Sequence, residues 1–151
     1  MERLQKWAHI AEITGAVAVV VSLLYVGYQV RENTTAMQSQ TEINLFSLST
    51  ELHAWYRDPV FVELVARANA DFDALPVAER MQLERFVMSG MDLWAYAFKS
   101  FRRGTIDEEE WLAWNGFFSG EFESDPWRRI YAQYRHGYAD SFRQHVDSLV
   151  Y

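Results

Sequence analysis

The sequence predicts an all-α fold, with one N-terminal transmembrane helix continuing into an antiparallel helical bundle of four to five helices. Three observations predict it. Residues 13–30 form an eighteen-residue run without a charged side chain. Beyond them, large apolar residues return every three or four positions, the period of a helix face. No stretch alternates apolar and polar residues as a strand does, and no motif repeats at a fixed period.

The uncharged run reads ITGAVAVVVSLLYVGYQV, from Ile13 to Val30. A bilayer core of about 30 Å needs about 20 helical residues, and extension back to Trp7 supplies them. Trp7 at one end and Tyr25 and Tyr28 at the other are candidate interface anchors, because amphipathic rings favour the headgroup region. Ala11, Gly15, Ala18 and Ser22 are spaced four, three and four apart. They place small side chains on one helix face, where a second membrane helix could approach closely. Two other readings compete with a span. A cleaved signal peptide has an apolar core of only about 7–15 residues, although Thr34 and Ala36 offer small residues for a cleavage site. A buried helix, apolar on every face, needs a large core around it. Arg3 and Lys6 precede the run and Arg31 follows it, which leans the N-terminus toward the cytoplasm and the domain outside.

Residues 31–42 are polar and lack Gly and Pro, so they extend the helix as a stalk. The bounds expected are residues 1–30 for the anchor, 31–42 for the stalk and 43–151 for the bundle. Leu45, Leu48, Leu52 and Trp55 recur at helical spacing. Asp58-Pro59 ends that helix and starts a short one, since Asp caps and Pro suits a first turn. Pro76 opens a long helix that ends near Arg103. Its Leu83, Val87, Gly90, Trp94, Ala97 and Phe101 alternate four and three apart, as a bundle seam does. Gly104 ends it. Thr105 and Glu108 have capping-box spacing for the next helix, whose apolar face carries Trp111, Trp114, Phe118 and Phe122. Asp125-Pro126 repeats the Asp-Pro start, before Trp127, Ile130, Tyr131 and Tyr134. Gly137 is expected to break this helix and Asp140 to cap a last piece.

Composition narrows the function classes. From Arg31 onward there are 12 basic and 19 acidic residues, so the acidic excess lies in the bundle. An acidic surface repels phosphate backbones, which argues against nucleic acid as the main partner. The Arg-aromatic stretch WRRIYAQYRHGY is better explained as one helix with a core face. There is no cysteine, hence no disulfide, thiolate metal site or Cys nucleophile. The histidines are His9, His53, His136 and His145. None has Glu three residues before it, so the Glu-x-x-His pattern of di-iron bundles is missing. Asp107 to Glu110 suit a helix first turn, where carboxylates offset the dipole. No GxSxG, HExxH or Gly-rich phosphate loop occurs, so no catalytic residue, metal ligand or cofactor is assigned. Asn115, among Trp111, Trp114 and Phe118, is either a buried polar group that fixes helix register or a residue at the edge of the face.

Four pieces carry a resemblance: YVGYQVRENT closing the span, LPVAERMQLERF, GTIDEEEWLAW, and the ending with Trp127, Tyr138, Phe142 and Val146. In order and spacing they resemble a widespread family of uncharacterised bacterial proteins with one N-terminal transmembrane helix and a helical domain. The sequence departs from it at Tyr138-Ala139-Asp140, where the family carries a Ser-Pro turn. The resemblance implies a single-pass protein of the bacterial inner (cytoplasmic) membrane and implies no functional residues. The expected function is therefore a membrane-tethered helical interaction module whose partners are the lipid bilayer and either another protein or a second copy of the chain, met through the membrane helix or the bundle. A ligand-binding or sensory domain and an enzyme of unknown type are the alternatives.

Overall fold

The computed structural model describes residues 2–149, without the side chains of Glu2 and Leu4. Met1, Val150 and Tyr151, which the expected domain bounds include, lie outside the described residues. Among the described residues the fold is all-α, with six α-helices and two short 3₁₀ turns. The chain divides into two compact units, residues 1–39 and 40–151.

The first unit belongs to helix α1, Glu2–Ala54, which also supplies the start of the second. No proline interrupts it until Pro59, so nothing removes an internal hydrogen bond. At 1.5 Å per residue, the uncharged run extends for about 27 Å.

The second unit begins with the last turns of α1, where Leu45 and Leu52 are buried one above the other along one face. A 3₁₀ turn, Trp55–Arg57, follows. Asp58 then accepts from the backbone N–H of Val60 at 2.9 Å, with Pro59 in the first turn of α2, Pro59–Ala70. This is the Asp-Pro start expected there. Helix α2 buries Phe61, Leu64 and Ala68. Its exit is fixed by Asp71, whose carboxylate accepts from the N–H groups of Asp73 and Ala74.

Helix α3, Val77–Arg102, is the centre of the bundle. Leu83, Val87, Gly90, Trp94 and Ala97 are buried as the seam requires, while Phe101 is half-buried. Phe86, Met91 and Leu93 broaden this stripe, so α3 is covered from more than one side. Gly90 is needed for packing: a Cβ there would lie 2.4 Å from Cη2 of Trp127. Gly104, at φ +71°, turns the chain. Thr105 N–H then reaches Ser100 O at 3.0 Å, and Gly104 N–H reaches Phe101 O at 2.9 Å. These two bonds close the helix C-terminus in the Schellman pattern.

Three caps differ from expectation. Helix α4 is Glu108–Phe122, and its cap is Asp107, which accepts from Glu110 N–H at 2.8 Å. Thr105 cannot cap it because its hydroxyl donates back to Ser100 O. Helix α5, Asp125–Tyr134, has Ser124 at the cap position without a side-chain bond. The Ser124 hydroxyl is used on Glu121 O, and Asp125 instead pairs with Arg129 at 2.6 Å. The chain then makes a 3₁₀ turn at Arg135–Gly137 before α6, Asp140–Asp147. Ala139 is at its cap position, and Asp140, already inside the helix, pairs with Arg143.

The core has two aromatic centres. Trp94, with no exposed surface, meets Phe118 and Phe122 of α4 and Phe142 of α6 at 5.6–6.0 Å between ring centroids. Phe86 meets Phe61 of α2 and Trp127 of α5 at 4.9 and 6.2 Å. Rings of this size bury about 150–250 Å² each. They let helices as short as the eight residues of α6 share in one core.

Candidate functional site

In the first unit every described side chain from Ile13 to Val30 is exposed. Helix α1 is long and apolar enough to cross a membrane, and none of its most apolar window is buried. Ala11, Gly15, Ala18 and Ser22 share a face that is open: a Cβ on Gly15 would meet nothing within 4 Å. The hydroxyl of Ser22 donates to Ala18 O at 2.8 Å, and that of Thr14 to Ile10 O. Both polar groups are thus satisfied inside their own helix, which lowers their cost in an apolar medium.

Trp7, Tyr25 and Tyr28 are all exposed at the two ends of the run. Tyr28 donates its phenolic hydrogen to Glu32 at 2.7 Å, and the Tyr25 oxygen accepts from the Gln29 amide at 3.1 Å. Each oxygen is thus tied one turn further along its own helix, and that of Tyr28 reaches the polar segment that follows the run.

The second unit holds a polar cluster at its aromatic centre. The Trp94 indole N–H donates to Asn115 Oδ1 at 3.1 Å. Nε2 of His145 lies 2.7 Å from the same oxygen. Phe98, Trp111 and Trp94 surround the imidazole at 5.2, 5.3 and 5.9 Å. Burial among these rings pushes the His145 pKa below its ordinary value. Asn115 thus joins α3, α4 and α6 through one oxygen, and is more than a residue at the edge of a face. The sequence names His145 only among the histidines tested for metal-ligand spacing and gives it no place in the core. Its only signal was position, between Phe142 and Val146 on the last helix.

Other polar groups close the ends of the bundle. Tyr131 donates to Asp147 at 3.2 Å, and Arg135 pairs with the same carboxylate. The Tyr138 hydroxyl is pushed well above its ordinary pKa, first by burial and then by Asp92. Among the described residues, no group of three His, Asp or Glu side chains gathers as a metal site would require.

Several clefts open between the helices. One of about 270 Å³ lies against Glu51, Trp55 and Asp92. A shallower one of about 630 Å³ has Tyr96, Phe98 and Phe142 on its floor and Lys99, Arg102 and Arg103 at its rim. An apolar one of about 260 Å³ is bounded by His53, Trp114 and Phe117. A smaller one, about 110 Å³, lies between α2, α3, α4 and α5, with Glu121 in its lining.

No protein-family model matches the chain, and neither a curated protein nor a solved structure does.

Proposed function

We propose that this protein is a membrane-tethered helical interaction module. Residues 13–30 would form the single span, with the N-terminus in the cytoplasm of a bacterium and the bundle on the far side of the inner membrane. The observation that carries the reading is the exposure of every apolar side chain in that run. Water would have to solvate a continuous sleeve of Val, Leu and Ile. Each such side chain gains about 1.5–3 kcal/mol on leaving water, so the sum strongly favours lipid. A buried soluble helix would have hidden these side chains within its own fold.

The partner in this reading is a second copy meeting the face of Ala11, Gly15, Ala18 and Ser22. Helices associate in lipid chiefly by close packing, which small residues permit. The chain has no cysteine, so one can be placed at will. Ser22→Cys should crosslink to its own kind in native membranes, and Leu24→Cys, about 200° around the helix, should not. Equal crosslinking at both positions, or none at either, contradicts the pairing. A fusion reporter at the C-terminus tests the topology separately.

A ligand-binding domain is the second reading, favoured by the clefts between the helices. Ligand sites are concave, mostly apolar and carry a few polar groups, as the 110 Å³ cleft does.

A further inference from the structure

Glu121 is in an unusual place for a carboxylate. It lies in the last turn of α4, where a negative charge opposes the helix dipole. It is half-buried, and among the described residues its carboxylate has no hydrogen bond or ion pair. Around it, the 110 Å³ cleft is walled by Phe86, Trp127, Leu83, Val65 and Pro126. Gly120 leaves one wall without a side chain, and a Cβ there would meet nothing within 4 Å. The fold thus holds an acid against both its dipole and its surroundings, beside space that its neighbours do not fill.

We infer that this cleft is a binding site for a small organic ammonium ion, with Glu121 as counter-ion and Phe86 and Trp127 as aromatic walls. A cation gives the carboxylate the partner it lacks, and aromatic rings attract cations through their quadrupoles. Size restricts the guest. A cavity of about 150 Å³ accommodates benzene, so about 110 Å³ suits roughly five non-hydrogen atoms. Divalent metals are unsuited, because Ca²⁺ wants about six to eight oxygen ligands and the cleft's lining brings one carboxylate, Glu121, with one amide, Asn69, and one hydroxyl, Ser124. Burial raises the Glu121 pKa above its ordinary value, as an unpartnered acid should show. Tyr56, nearby, is raised first by its own burial and then by the charge of Glu121. The site lies wholly within the second unit and does not depend on the first unit being in a membrane.

The test is calorimetric titration of the full chain in detergent micelles with tetramethylammonium chloride, and with tert-butanol as an uncharged guest of similar size. Saturable binding of tetramethylammonium is expected, with tert-butanol binding about tenfold more weakly or not at all. Glu121→Gln should weaken tetramethylammonium about tenfold or more, while Glu123→Gln, one exposed carboxylate further on, should leave it unchanged. Binding should also fade as pH drops and the carboxyl takes a proton. Since Glu121 opposes the fold, Glu121→Gln is expected to keep the helical circular dichroism and to melt no lower than the parent. A linear titration, equal binding of the uncharged guest, or equal loss in both variants would overturn the assignment.

Discussion

Trp94 donates its indole N–H to the side-chain oxygen of Asn115, across 3.1 Å between α3 and α4. An indole nitrogen is only a donor, so the atom facing it must be the amide oxygen. That orientation settles the neighbour. His145 Nε2, 2.7 Å from the same oxygen, has to carry a hydrogen. The neutral imidazole is therefore the Nε2–H tautomer. Nitrogen-15 NMR of the full chain in micelles, near neutral pH, should show a protonated Nε2 and an unprotonated Nδ1 for His145. The reverse pattern would mean that the amide is turned and the cluster is built differently.

Removing the shared acceptor strands two donors at once. Asn115→Ala is expected to destabilise the bundle by about 2 kcal/mol, since an unsatisfied buried polar group costs about 1–3 kcal/mol. Once His145 is replaced by Phe, one of those donors is gone, and Asn115→Ala should cost less. Urea unfolding of the four combinations measures the coupling, and simple additivity would contradict it.

The caged histidine also gives the bundle a pH dependence. Its folded pKa is depressed below 6.5 by burial. The unfolded chain thus binds the proton more readily, and its contribution is full above the unfolded pKa and lost as pH falls through the folded one. Glu121 acts with the opposite sign. Its raised folded pKa gives stability that is present at low pH and lost as pH rises through it. Melting of the parent should fall between about pH 7 and about pH 5 by more than melting of His145→Gln does. Parallel curves would remove His145 as the cause.

Glycines sort by what surrounds them. Gly90→Ala drives a methyl into Trp127, 2.4 Å away, and overpacking of this kind costs about 1–3 kcal/mol. Gly116→Ala, also inside a helix but with nothing within 4 Å, should instead gain up to about 1 kcal/mol from helix propensity. Gly104→Ala should lose about 1 kcal/mol or more, because φ there is +71° and side chains disfavour that region. Thermal melts of the three variants should fall, rise and fall in that order.

The sequence exposes the fold more fully than the site, and the reason is periodicity. The seam from Leu83 to Ala97 can be read because burial repeats with the turn of a helix. The Asp58-Pro59 start can be read because cap and proline act within one turn. Thr105, Asp125 and Asp140 misled for the same local reason: several acceptors stand near each helix start, and the preceding turn had already engaged Thr105 and Ser124. His145 and Glu121 lie beside buried aromatics at the edges of their stripes. What they meet comes from helices far away in sequence, such as Asn115 for His145, thirty residues earlier. Spacing alone carries no such information.

The tether is tested most directly by washing membranes from cells that express the full chain with alkaline carbonate, then weighing the retained protein by mass spectrometry. The intact chain, with residues 13–30 still attached, is expected to stay in the membrane pellet. Release of the full-length chain into the wash, or a mature product cut near Thr34 to Ala36, would contradict a membrane-spanning α1.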